Sequence, residues 1–307
     1  MVQENCVDKK ILIICGATAS GKTALAIECA KLLNSEVISA DSMNVYNGLD
    51  IGTAKPTDNE MAGVTHHLIN VVDAFSEFSV SDYKLHAEPI LKSLISQGKV
   101  PVICGGTGFY INSLLYDLSY GNSSANIVVR ERYKKLAEEK GNEYVYAVLK
   151  EKDLETANKL HFNDIKRVIR ALEIVEGGIK KSEIIDDFKP KYKYSAFAID
   201  FPREELYDRI NKRVDIMIEN GLVEEVAHLI SIGITNKNQC MQGIGYKEIY
   251  EHLIGGLTLN DAIELIKLNT RHYAKRQITF FKRLSGLKLL KPESSEILAS
   301  RIINELW

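Results

Sequence analysis

GATASGKT, residues 16–23, lies between the apolar run ILIIC at 11–15 and the helix-like TALAIECAKLL at 23–33. Gly16, four residues, then Gly21-Lys22-Thr23 is the phosphate-loop pattern in its proper setting, strand before and helix after. The glycines let backbone N–H groups converge on an anion, and the helix N-terminus adds partial positive charge. Lys22 supplies a point charge, and the Thr23 hydroxyl is placed to ligate Mg2+. Gly16, Ala17, Thr18, Ala19, Ser20, Gly21, Lys22 and Thr23 therefore read as a cradle for a di- or triphosphate. The pattern does not say what happens to that phosphate, because a pyrophosphate group is all the loop needs.

Working outward, KILIIC (10–15), EVISAD (36–41), KVPVICGG (99–106) and KYSAFAID (193–200) have strand character. SVSDYKLHAEPILKSLISQG (79–98) reads as a helix with a serine N-cap and a glycine just past its end. Strands alternating with helices predict a parallel α/β sheet, whose ligands sit at the carboxyl ends of the strands. Three polar clusters follow strands in that way: the loop at 16–23, DSMNVY at 41–46 and GGTGFY at 105–110. From about Asn126 the period becomes helical through VVRERYKKLAEEKG, NEYVYAVLKEKD and DIKRVIRALEIVEGG, and after residue 200 the chain reads as helical again. The expected architecture is a P-loop NTPase-like α/β core, residues 1–118 with 194–307, carrying a helical insertion at 119–193.

Composition bounds the partners. The chain has 307 residues, is 45% hydrophobic and carries a net charge of -2, so nucleic-acid binding requires a local patch. Five cysteines, Cys6, Cys15, Cys29, Cys104 and Cys240, form no C-x-x-C pair; this fits a reducing cytosol and cytoplasmic residence. Cys15 and Cys104 read as small core residues. The polar N-terminus does not read as a signal peptide, and no stretch reaches the roughly 18 apolar residues of a membrane span.

Asp41 ends the second strand, where a carboxylate could face the loop; the alternative is a helix N-cap, and residue type alone leaves both open. Thr107 stands between glycines that allow close approach to a ligand, or a plain tight turn. Arg209 and Arg213 share a helix face. They could clamp a phosphate, or pair with Glu204, Glu205 or Asp208. From Leu265 to Lys291 there are eight Lys/Arg and no Asp or Glu. Lys267, Arg271 and Lys275 form a stripe interleaved with Tyr273, Phe280 and Phe281, a pattern suited to single-stranded RNA. Lys166, Arg167 and Arg170 add charge on a second helix.

Beyond these residue-level readings, the chain closely resembles the tRNA dimethylallyltransferases. The resemblance is carried by GATASGKTALA, SADSMNVYNGLDIGTAKP, HHLINVVD, GKVPVICGGTGFY, NDIKRVIRALEI, GLVEEV, QGIGYKE and TRHYAKRQITFFKR, spread over residues 16–283. It implies transfer of a dimethylallyl group from dimethylallyl diphosphate to N6 of adenosine 37, beside the anticodon of tRNAs that read codons beginning with U. It implies that the phosphate loop holds the diphosphate as leaving group, with Ser20, Lys22, Thr23 and Mg2+ neutralising it. Asp41 becomes the general base, Thr107 lies near the reacting groups, and Arg213 reaches the diphosphate. The implied tRNA contacts are Asp41, Ser42, Met43, Asn44, Thr107, Arg130, the run Lys166, Arg167, Val168, Ile169, Arg170, and the run Gln242, Gly243, Ile244, Gly245, Tyr246, Lys247. Lys275 and Arg276 join them from the basic stripe. The protein is expected to be a cytoplasmic monomer, its partners tRNA and the prenyl donor. His66 and His67 are expected to be structural.

Three departures from the family pattern are visible: Ala17 where proline is usual, NDIKR for NDPxR, and ANIVVR without an acidic-proline start. A P-loop small-molecule or nucleoside kinase is the alternative function, but it would leave the acid-free C-terminal helix idle. A non-catalytic RNA-binding module is a further rival, and intact Lys22, Thr23 and Asp41 argue against it.

Overall fold

A continuous apolar run without polar alternation makes a strand buried on both faces. KILIIC is such a run: in β1 (Lys10–Cys15), Ile11, Leu12, Ile13, Ile14 and Cys15 are wholly buried. The computed structural model describes residues 10–118 and 126–306. Around β1 the chain lays down α1 (Lys22–Leu32), β2 (Val37–Ser39), α2 (Asp58–Met61), β3 (His66–His67), α3 (Val80–Ser96), β4 (Val102–Gly105) and α4 (Gly108–Leu115). Then come α5 (Ile127–Lys140), α6 (Asn142–Lys152), α7 (Leu154–Ala157) and α8 (Ile165–Glu176). The chain continues with β5 (Lys193–Ile199), α9 (Arg203–Glu219), α10 (Leu222–Ser231), α11 (Tyr246–Leu253), α12 (Leu259–Phe281), β6 (Leu287–Leu290) and α13 (Ser295–Leu306).

The six strands form one sheet in the order β3-β2-β4-β1-β5-β6, and every pairing is parallel. The register sets Leu12 beside Val102 and Ile13 beside Ala196, so β1 sits between β4 and β5. Because β2, β4 and β1 are neighbours, their carboxyl ends bring the loops at 16–23, 41–46 and 105–110 to one edge. α1 and α13 cover one face, burying Leu12, Leu25, Val37, Phe197, Leu298 and Ile302 in a shared core.

Two strands escape the sequence reading. β3 is two residues long, and β6 is four residues immediately after a long helix, so the chain after 200 is not wholly helical. Neither is long enough to show a period. The helix expected at 79–98 is α3, with Ser79 as N-cap and Asp82 completing a capping box.

The described residues up to Leu115 and from Pro190 onward form one compact unit, and those from Tyr116 to Lys189 a second. In the second, α5, α6 and α8 close around Val129, Tyr133, Val145, Leu149, Val168 and Leu172. The N-terminal stretch with Cys6 and the insertion boundary at 119 lie outside the described residues. Cys15, Cys29, Cys104 and Cys240 are free and buried. Among the described residues no helix is long and apolar enough to cross a membrane.

Candidate active site

The phosphate loop is held open by backbone geometry. Gly16, Ala19 and Gly21 have φ of +123°, +61° and +83°, the left-handed region that glycine adopts at little cost. Ser20 Oγ and Lys22 Nζ both donate to Ala17 O, at 2.9 and 2.6 Å. Burial lowers the Lys22 pKa from its usual value, while nearby Asp41 opposes that shift. Thr18 N–H donates to Gln277 Oε1 at 2.8 Å, and Gln277 Nε2 donates to Gly106 O at 3.0 Å. The buried Gln277 side chain thus bridges the 16–23 loop and the GGTG turn.

That turn packs where only glycine fits. A Cβ on Gly105 would lie 2.1 Å from Ala40 O, and one on Gly106 2.0 Å from Gln277 Nε2. β2 and the β4 turn are therefore in backbone contact: Ala40 N–H donates to Cys104 O and Thr107 N–H to Ala40 O. Thr107 Oγ1 accepts from Ser42 N–H at 3.0 Å and donates to Ser42 Oγ at 3.3 Å. Asp41 Oδ1 accepts from Met43 N–H at 2.9 Å. Residues 42–45 form turns rather than a helix, so the N-cap alternative for Asp41 is not what the fold uses.

Two cavities open beside Asp41. The inner one is lined by Lys22, Thr23, Ser39, Asn44 and His66. The outer one, about 410 Å³, is lined by Ser42, Met43, Met217, Gln242, Gly243 and Ile244. They share Thr18, Asp41, Thr53, Arg213 and Tyr273. Arg213 reaches Thr53 O at 3.4 Å, and Arg209 Nε donates to Ala19 O at 2.9 Å while lying over the Phe201 ring. Neither arginine pairs with Glu204, Glu205 or Asp208 among the described residues, so the solvated-pair alternative is not realised. Burial lowers the Arg213 pKa, and Asp41 opposes that shift. Burial, reinforced by the Asp41 charge, raises the Tyr273 hydroxyl to about 12. Lysine and arginine thus face a half-buried carboxylate across two adjoining cavities, at the carboxyl ends of a parallel sheet. Residues 44–284 match the IPP transferase family model.

The chain belongs to the tRNA dimethylallyltransferase (IPP transferase) family.

It is 46% identical to the tRNA dimethylallyltransferase of Acetivibrio thermocellus over 90% of both chains, and 45% identical to that of Alkaliphilus oremlandii over 97% of both. The fold is similar to the crystal structure of the full-length tRNA isopentenylpyrophosphate transferase from Bacillus halodurans, with TM-score 0.73, 38% identity and 97% and 96% coverage. It is also similar to a eukaryotic dimethylallyltransferase solved acting on tRNA, with TM-score 0.81 and 31% identity, covering 92% of this chain and 74% of that one.

Within this family member, the residues predicted for tRNA separate. Met43 and Gly243 touch: a Cβ on Gly243 would lie 2.5 Å from the Met43 methyl. Gln242 and Lys247 are exposed. Gly245 and Tyr246 are buried, and the Tyr246 hydroxyl is committed to Glu225, so it is not a free donor to RNA. Thr107 stands behind the cavity walls: its hydroxyl bonds Ser42 beside Asp41 and contacts Tyr273, which lines both cavities.

The α12 stripe is not uniform. Lys267 pairs with Asp215 and Glu264, and Arg271 donates to Asn211 at 2.7 Å. Lys275 and Arg276 line a basic cleft with His272, Phe280 and Arg283. Phe281 is buried and Tyr273 points into the cavities, so neither is a surface stacking platform. Sequence reasoning missed that Tyr273 and Gln277, one turn apart, carry α12 into the site. Their i, i+4 spacing was the available signal.

In the helical unit Val168 and Ile169 are buried in its core, which removes their side chains from the predicted RNA run. Lys166 and Arg167 are exposed, with Arg167 paired to Asp164. Arg130 and Arg170 both pair with Glu173, whose side chain is fully buried. His66 Nδ1 contacts Val64 O and His67 Nε2 contacts Glu36, within and beside the short edge strand.

Proposed function

We propose that the chain moves a dimethylallyl group from dimethylallyl diphosphate to N6 of adenosine 37, in tRNAs that read codons beginning with U, leaving diphosphate. One observation carries this reading: Asp41 stands where two cavities meet, with Lys22 and Thr23 on the inner side and Met43 and Gln242 on the outer. The inner cavity suits the donor and the outer one a flipped adenine. Extruding a base from a loop costs a few kcal/mol, less than from a duplex.

In this reading the allylic C–O bond breaks as negative charge grows on the departing diphosphate. The phosphate loop, Lys22 and Arg213 offer positive charge to it, Lys22 exchanging its bond to Ala17 O for one to the diphosphate. The N6 amine attacks the freed allyl carbon, a C–N bond forms, and Asp41 accepts the N6 proton. Asp41 is aimed by Met43 N–H, and its turn is held by Thr107 through Ser42.

Among the described residues no group of three or more His, Cys, Asp or Glu could cage a metal. The Thr23 hydroxyl facing the inner cavity is a hard oxygen donor, which suits Mg2+ sharing its shell with phosphate and water oxygens. Bound there, Mg2+ supplies charge neutralisation for the leaving group. The tRNA contacts extend along Ser42, Asn44, Gln242, Ile244, Lys247, Lys275 and Arg276, and in the helical unit along Lys166 and Arg167. The protein acts as a cytoplasmic monomer.

The test is incubation with Mg2+, radiolabelled dimethylallyl diphosphate and unmodified tRNA carrying adenosines at positions 36 to 38. Label in the RNA at adenine is expected. ATP consumption without RNA labelling would overturn the reading in favour of a kinase.

A further inference from the structure

Three stretches that carry the family resemblance supply no group to the bond-breaking and bond-making steps above, yet they converge. They are NGLDIGTAKP at 47–56, GLVEEV at 221–226 and QGIGYKE at 242–248. Glu225 of α10 is their meeting point. Its Oε2 accepts from Asp50 N–H at 2.9 Å and Ile51 N–H at 2.8 Å. Its Oε1 accepts from Gly52 N–H at 3.1 Å and from the buried Tyr246 hydroxyl at 2.5 Å. One carboxylate thus gathers three successive backbone amides and a phenol, and hydrogen bonds to an ionised acceptor are roughly twice as strong as neutral ones.

The turn it gathers is a wall of the site. Gly52 has no room for a side chain: a Cβ there would lie 2.6 Å from the Tyr246 ring and 2.8 Å from a Leu222 methyl. The next residue, Thr53, lines both cavities, and its carbonyl oxygen faces Arg213 at 3.4 Å. Beyond it, buried Lys55 donates to Tyr46 O, Asp50 Oδ1 and Asn70 Oδ1, fixing the far end of the turn. The turn that carries the Thr53 carbonyl is thus tied on both sides, by Glu225 and by Lys55.

We infer that Glu225 is a positioning residue, whose carboxylate holds the 50–53 turn so that its wall presents Arg213 to the diphosphate. This rests on the inner cavity being the diphosphate site. Glu225 touches no reacting atom; it acts through the turn and Arg213.

The test uses the full chain and inorganic pyrophosphate as probe, with affinity measured by calorimetry and KM and kcat for dimethylallyl diphosphate measured beside it. Glu225→Gln and Gly52→Ala each weaken pyrophosphate affinity and raise donor KM by about five- to tenfold, a size set by one or two lost charge-assisted bonds. KM for tRNA stays within about twofold, and Glu224→Gln, on the same helix, changes nothing. In an Arg213→Lys background the Glu225→Gln effect falls below about twofold, because coupled residues do not add. An undiminished effect in that background, or unchanged pyrophosphate affinity in folded Glu225→Gln, overturns the inference. Where Glu225→Gln does not fold, Tyr246→Phe, which removes one of the four donors, carries the same test with a smaller shift. A wild type that binds pyrophosphate but transfers no prenyl group counts against the proposed function and leaves this inference standing on the pyrophosphate data.

Discussion

In the helical unit, Arg130 and Arg170 close on Glu173, and Arg132 closes on Glu176 at 2.7 Å. In the α/β unit, Arg209 and Arg213 end on the backbone carbonyls of Ala19 and Thr53, and Asp41 on a backbone N–H. The α/β unit has matched pairs of its own, such as Lys55–Asp50 and Lys267–Asp215, but around the cavities its charges are oriented by backbone groups, whereas these arginines of the helical unit are neutralised by carboxylates. A matched pair stabilises a fold and leaves little field for a ligand. A charge oriented by neutral backbone groups stays available, at the cost of desolvation. Lys22 shows that cost, since burial depresses its pKa.

Asp41→Asn tests the available side of this contrast most severely. It keeps the shape and removes the proton acceptor, so kcat should fall by roughly 10²- to 10⁴-fold. Donor KM should change little in steady-state assays. If donor binding collapses while kcat holds, Asp41 is a diphosphate ligand and not the base.

Next in size is Glu173→Ala. Removing one partner of a buried ion pair typically costs about 3–5 kcal/mol, and here the fully buried Glu173 carboxylate serves both Arg130 and Arg170. Denaturant unfolding should show that loss. A change below about 1 kcal/mol would place Glu173 among ordinary surface pairs and erase the contrast.

The pH dependence should follow the same division. Arg132 and Tyr133 hold the Glu176 carboxyl down to about 2. Asp153 also falls to about 2, where hydrogen bonds from Thr156 and Ser182 outweigh burial. Both folded values lie below the unfolded ones of about 4. Their stabilisation is therefore complete above the unfolded values and fades as pH falls toward 2. Together they should contribute on the order of a few kcal/mol. Acid titration followed by circular dichroism should show helix loss between about pH 4.5 and 2. Helix content that is flat across that window contradicts the assignment.

The smallest effect belongs to the exposed basic cleft. Changing Lys275 and Arg276 to Ala should weaken tRNA binding by about tenfold at low salt and flatten the salt slope by about two. An unaltered slope would show that the cleft is not an RNA surface, and would leave Lys166 and Arg167 as the basic contacts to test.

Legibility from the sequence varied with distance along the chain. The phosphate loop was readable because its strand, glycines, lysine and helix are consecutive. α3 was readable because Ser79 and Asp82 cap it locally. The two short strands were not, since β3 and β6 take their identity from their neighbours in the sheet. The RNA runs were read as blocks, and the fold broke them by burial: Val168 and Ile169 went to a core, Tyr246 to Glu225, and Tyr273 to the cavities. A helix turns each successive residue by about 100° around its axis, so a contiguous motif seldom shares one environment.

From the order of its residues alone, this chain already specified a parallel sheet, a phosphate cradle at the end of β1 and membership of a prenyl-transferring family. Those follow from hydrophobic period and from motifs confined to a few neighbouring residues. Only the tertiary structure decided which charges remain free for a ligand. Gly52 and Glu225 lie 173 residues apart, and Thr18 and Gln277 lie 259 apart. Contacts at such separations depend on where the whole fold places two backbones, which no local pattern encodes.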